Sequence, residues 1–218
     1  MPMAAHILPP PLREGDRLTS QEFMRRWEAM PDLKHAELID GIVHMASPVL
    51  NLHGVFHFRI GSWLTYYVAA TPGCEASTES TWQMSAESVP QPDLALRILP
   101  DCGGQSGLER GYATGAPELI VEISVTKLRL YEKHGVREYI IVRPEKRRLT
   151  WRELADGKYR EIEPEKSEFL RSRVFPGLWL DPAALWDNDL PRLSKTVQQG
   201  VATAEHAVFV RGLARRSS

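Results

Sequence analysis

Apolar and polar positions recur along this chain with periods that change every ten to twenty residues. Between Asn51 and Ala70, Leu52, Val55, Phe56, Ile60, Trp63, Leu64, Tyr67 and Val68 return at three- and four-residue steps, which predicts one long amphipathic helix. "LTSQEFMRRWEAM" predicts a shorter one: Thr19 stands as N-cap, Glu22 follows three residues later as in a capping box, and Phe23, Trp27 and Met30 form the apolar stripe. In "AELIDGIVHMAS" two short apolar runs flank Asp40-Gly41, a hairpin signal. "CEASTESTWQM" alternates as a strand with one exposed face does, and "PQPDLALRILP" is a strand kept short by its prolines. Glycine-rich "DCGGQSGLERGYATGAP" predicts a loop.

"ELIVEIS" and "REYIIV" are continuous enough in apolar character to be buried strands, and "KLRLYEKHG" between them predicts a short helix closed by Gly135. "RRLTWREL" and "GKYREI" predict a hairpin across Asp156-Gly157. After Phe169, "RVFPGLWLDPAAL" is an apolar, irregular arm leading into a helical tail. The expected architecture is one α/β domain over residues 18–165, a mixed sheet flanked by the Asn51 helix and the Lys127 helix. A proline-bearing extended lead-in occupies 1–17, and the C-terminal arm and tail occupy 166–218.

Composition narrows the function classes. With 218 residues, 43% of them hydrophobic, the chain can bury one sizeable core. A formal net charge of -1 supplies no global field for nucleic acid, so any polyanion would be met through a local patch. Cys74 and Cys102 are the two cysteines and no CxxC spacing occurs, so neither a disulfide scaffold nor a zinc ribbon is expected, and a reducing cytoplasm fits. No signal-peptide pattern opens the chain, and no apolar run approaches the roughly 20 residues of a membrane helix.

The chemistry concentrates in two strands. Glu122 interrupts the apolar run of "LIVEIS", where a carboxylate loses solvation and must be compensated by a cation, a metal or hydrogen bonds. Asp93 opens the "DLAL" strand. Each alone has a structural reading, Asp93 as a turn cap and Glu122 as the partner of a basic residue such as Arg97. Together, two acids from adjacent strands can share a divalent cation, and Lys127 lies close enough in sequence to reach the same pocket. His53 and His57 share one face of the long helix at the spacing of a metal pair, without an accompanying HExxH. "RPEKRRLTWRE" is either a charged, solvated hairpin edge or a phosphate patch. Ser47 and Ser124 lack a G-x-S-x-G context, and Gly103-Gly104 lacks a following G-K-[ST].

Pro92-Asp93, then Glu122 in an apolar strand, then a nearby lysine resembles the PD-(D/E)XK nuclease superfamily. The ordered set "LTSQEF", "ELIDGIVHMASP", a helix with His53 near its start, "QPDLAL", "PELIVEIS" and "KLRLYEKHGVREYIIV" resembles, over about residues 18 to 155, the bacterial Uma-type family of restriction-endonuclease-like proteins. The resemblance implies a restriction-endonuclease-like fold and Mg²⁺-dependent cleavage of DNA, with Mn²⁺ as substitute. It assigns Asp93 and Glu122 to the metal, with the carbonyl of Ile123 and a further acid, Glu37, beside them. Lys127 takes the place of the catalytic lysine, displaced from the strand to the following helix. A homodimer would suit two-fold cleavage of a duplex. Only Ile123 to Thr126 link Glu122 to Lys127, where members of the family carry a longer polar loop. The alternative reading is a protein that kept the fold, lost turnover and acts as a DNA-binding or regulatory and interaction module; a structural interaction protein in which Glu122 merely pairs with a basic residue is a further rival.

Overall fold

The computed structural model describes residues 8–124, 127–164 and 168–216. Helix α1 (Ser20–Glu28) leads to the hairpin β1 (Ala36–Ile39) and β2 (Ile42–Met45), then to the long helix α2 (Asn51–Ala70). Strands β3 (Cys74–Thr78), β4 (Trp82–Gln83), β5 (Leu94–Ile98), β6 (Gly107–Glu109), β7 (Tyr112–Thr114) and β8 (Leu119–Ile123) precede helix α3 (Leu128–Lys133). Strands β9 (Glu138–Arg143), β10 (Arg148–Ala155), β11 (Lys158–Glu161), β12 (Leu170–Arg171) and β13 (Trp179–Leu180) follow. Helices α4 (Pro182–Asp187), α5 (Leu190–Val201) and α6 (Ala204–Arg216) end the chain.

Six strands form the main sheet in the order β11-β10-β9-β8-β5-β3. All neighbours are antiparallel except β8 and β9, which run parallel because α3 carries the chain back between them. This is the mixed, helix-flanked sheet that the sequence predicts. Period 2 sorts the side chains of the central strands onto two faces. Leu94, Leu96, Leu119, Val121, Ile123, Ile140 and Val142 pack with Phe56, Ile60, Trp63, Leu64 and Tyr67 of α2. Phe175, Leu178 and Leu180 of the C-terminal arm enter that same core. The opposite face carries Ala95, Ile120, Tyr139 and Ile141 against Leu130 and Tyr131 of α3. A third, smaller core joins Phe23 and Met24 of α1 to Ala36, Leu38 and Val43 of the first hairpin and to Val89.

Local signals explain the boundaries. The Thr19 hydroxyl accepts the Glu22 N–H and caps α1, while the Glu22 carboxylate turns to Arg25 and Arg26 rather than back to the cap. Gly135 takes φ +76° just past α3, the left-handed stop that glycine adopts without strain. Buried Glu138 at the start of β9 holds the arm: its carboxylate accepts from Trp151 Nε1, the Ser172 hydroxyl and the main-chain N–H groups of Arg173 and Val174.

Two elements differ from their prediction. The stretch from Cys74 to Met84 is not one strand: Glu79 turns at φ +50°, after which β4 pairs with β7 in a separate three-stranded sheet. The glycine-rich loop contains the hairpin β6–β7, turned by Arg110 and Gly111, both at positive φ. Among the described residues no helix is long and apolar enough to cross a membrane.

Candidate active site

Three segments far apart in sequence line one cleft of about 590 Å³: the β1–β2 hairpin with the loop into α2, the start of β5, and the end of β8 with the entry to α3. Sheet register explains why two acids meet there. Leu94 of β5 pairs with Val121 of β8, so one further step sets Asp93 opposite Glu122. Both side chains then leave the sheet on the same face, the face α3 covers.

Glu122 is buried, 2% exposed, and does not pair with Arg97, which binds Glu75 at 2.6 Å across β3 and β5. Its partners come from α3 instead. Lys127 Nζ lies 2.7 Å from Glu122 Oε1, and the Tyr131 hydroxyl donates to the same oxygen at 2.5 Å. Burial pushes the Glu122 carboxyl up to about 7, and the Asp93 charge adds to that; Lys127 and Tyr131 pull it back. Tyr131, fully enclosed, is held well above its ordinary value by burial and by Glu122, so it stays a hydrogen-bond donor.

Lys127 is the residue just before α3, and its main-chain N–H donates to the Tyr139 hydroxyl at 3.0 Å. Its ammonium is clasped from two sides, by Glu122 and by Glu37 Oε1 at 2.9 Å. Burial works against the charged form, but the two carboxylates outweigh it and raise the ammonium above its usual value. Glu37 is itself fixed, since the same oxygen accepts the Gln91 N–H at 2.7 Å. The other two link residues, Val125 and Thr126, lie outside the described residues, as does that part of the shortened link.

Asp93 is engaged at both oxygens. Oδ2 accepts the Ile123 N–H at 2.6 Å, which ties the two strand ends together, and Oδ1 lies 3.2 Å from His53 Nε2. Burial raises its carboxyl above the ordinary value, opposed first by the Ile123 hydrogen bond and then by His53 and Lys127. His57 Nε2 donates to the Asp93 carbonyl at 2.9 Å, and its ring stacks with that of His53 at 6.2 Å between centroids. The two histidines therefore buttress Asp93 rather than face one another across an ion.

Asp93, Glu122, Lys127, Glu37, Ile123 and His53 all line the cleft. Two contributors had weaker sequence signals. Tyr131 stands one helical turn beyond Lys127, a spacing that could have pointed to it. Gln91 acts through its main chain, which no residue type announces. As a donor set, two carboxylates and the Ile123 carbonyl are hard oxygens, the class Mg²⁺ takes with water completing its shell. Among the described residues no three His, Cys, Asp or Glu side chains converge as ready ligands, and the Glu37 oxygen is engaged by Lys127 and Gln91. Glu122 is in the same position, with Oε1 engaged by Lys127 and Tyr131, so the hard-oxygen set of Asp93, Glu122 and the Ile123 carbonyl fits a Mg²⁺ ion, with Glu37 beside it.

Two comparisons with known proteins find a likeness. The family model described as "Uma2: Putative restriction endonuclease" matches residues 20–183. The solved structure of "a putative nuclease belonging to DUF820" from Anabaena variabilis ATCC 29413 superposes with a TM-score of 0.54. It is 14% identical in sequence over 73% of this chain and 96% of that one, a likeness of fold. A search of curated proteins gives no match.

Proposed function

From the premise that the chain belongs to the Uma2 family of restriction-endonuclease-like proteins, we propose that it is an endonuclease hydrolysing DNA phosphodiester bonds with Mg²⁺. The observation that carries this reading is the gathering of Asp93, Glu122 and Lys127 in one cleft, with the lysine ammonium clasped by Glu37 and Glu122. A Mg²⁺ ion on Asp93, Glu122 and the Ile123 carbonyl would supply Lewis-acid stabilisation of the phosphate and a more acidic attacking water.

The chain's own residues do the positioning. Lys127 keeps its charge, and its two carboxylate anchors fix the ammonium where it can orient a water and stabilise negative charge developing on the phosphate. Glu37 serves in this scheme as the holder of Lys127 rather than as a metal ligand. Tyr131 fixes Glu122, while the Ile123 N–H and His53 fix Asp93, so both acids are oriented before substrate arrives. Cutting both strands of a duplex calls for two such clefts, which a homodimer supplies.

The test is incubation of supercoiled and linear DNA with the full chain in Mg²⁺ or Mn²⁺. Cleavage is expected for the wild type and absent for Asp93→Asn and Lys127→Ala. DNA left intact by the wild type in both ions would overturn the reading; retention of that DNA without cutting would assign a binding module instead.

A further inference from the structure

The cleft is lined by acids, Glu37, Glu79, Asp93, Glu122 and Glu145 among them, and such a pit repels the backbone of nucleic acid. A DNA substrate needs cations at the rim. The turn between β9 and β10 supplies them: Arg143, Lys146, Arg147 and Arg148 fall within six residues that contain one carboxylate, Glu145. Pro144 and Glu145 of this turn line the cleft itself, which places the cations at its edge. Lys146, Arg147 and Arg148 are exposed.

Arg147 is engaged with Asp187 at 3.0 Å and lies over the Trp186 ring. Arg143, Lys146 and Arg148 have no acidic partner among the described residues. Moreover, Arg143 and Arg148 are direct cross-strand partners in the β9–β10 ladder. Like charges set opposite one another on neighbouring strands destabilise a sheet, unless an anion sits between them. The turn joins two interior strands of the sheet, β9 and β10, so its cations do not serve to protect an open sheet edge from strand pairing.

We propose that the β9–β10 turn grips backbone phosphates of duplex DNA, with Arg143, Lys146 and Arg148 as the contacts, and so draws the strand into the acidic cleft. This rests on the nuclease reading for the identity of the polyanion, and not for the patch itself.

The test is binding of a fluorescein-labelled mixed-sequence DNA duplex to the full chain in EDTA, across a salt series, so that cleavage is not read. Lys146→Ala/Arg148→Ala removes two phosphate contacts and is expected to lower the slope of log affinity against log salt by about 1.8. At about 0.1 M salt the same counterion term weakens binding by about 60-fold. Arg160→Ala, an exposed cation already paired with Asp156, is expected to leave slope and affinity unchanged. Thermal melting of the double variant should match the wild type or exceed it, since like charges are relieved.

Wild-type slope and affinity in the double variant would overturn the proposal while leaving DNA cleavage untouched. Absence of duplex binding by the wild type, or much tighter binding of single-stranded RNA than of duplex, would overturn it as well. Loss of slope in a protein that never cuts DNA would support the grip and remove the nuclease.

Discussion

Glu122→Gln separates the charge of the buried acid from its shape. Glutamine keeps an oxygen for Lys127 and Tyr131, so the variant resembles wild type with Glu122 protonated. The carboxyl's ordinary value is 4.5, and burial in the folded protein pushes it up to about 7. An acid raised on folding binds its proton more tightly in the native state. Its contribution to stability is therefore fully present below about 4.5 and is lost as pH rises through about 7. At about 1.4 kcal/mol per pH unit, that interval is worth about 3 kcal/mol. Glutamine carries no such loss. Urea unfolding in EDTA should find the two proteins close at pH 4, with the variant's advantage growing to about 3 kcal/mol by pH 8. In a chain of this length that corresponds to about 6–12 °C in Tm. Glu138, also raised by burial to about 7, is common to both proteins and cancels in the difference. Parallel stability curves from pH 4 to pH 8 would refute the reasoning, because they would mean that Glu122 ionises no differently folded and unfolded. The same variant should fail to cleave DNA, so stability and activity should move in opposite directions.

Glu138→Ala should cost about 3–5 kcal/mol, because it strands buried N–H donors on Trp151 and Arg173 and unpins the arm; a fall of about 6–20 °C in Tm by calorimetry checks this. Glu37→Gln should lower kcat for DNA cleavage by about 10- to 100-fold with little change in Tm, since Lys127 loses a charged anchor but the sheet is untouched. Gly200→Ala should destabilise by about 3 kcal/mol in urea unfolding, because a Cβ there would lie 2.1 Å from the Gly177 carbonyl oxygen.

Sequence was most informative where one physical signal dominated. Helix α2 runs from Asn51 to Ala70 as its apolar recurrence predicts, and Gly135 ends α3 in the left-handed region. Glu122 was conspicuous because a carboxylate in a four-residue apolar setting has few reasons to be there. The misses have physical causes as well. Glycine in the 101–117 segment masked Leu108 and Tyr112, whose strands are only three residues long and gain their stability from pairing across Arg110-Gly111. The alternation from Cys74 to Met84 was real on both sides of Glu79, but periodicity cannot report that the two halves join different sheets. Gln91 contributes through a main-chain N–H, and Glu138 through four donors brought from remote segments, so neither could be recognised before the chain was folded.

Lys127 is clasped by acids that belong to different cores. Glu122 comes from the central sheet, whereas Glu37 rides on a hairpin whose apolar residues pack with α1 and Val89 in a small core of their own. Damage confined to that small core would leave the sheet standing with a lysine tethered on one side. Such a molecule would keep its main sheet and still be impaired, so lesions at Phe23 or Leu38, both fully buried, would lower activity like active-site defects while showing their origin in the thermal assay.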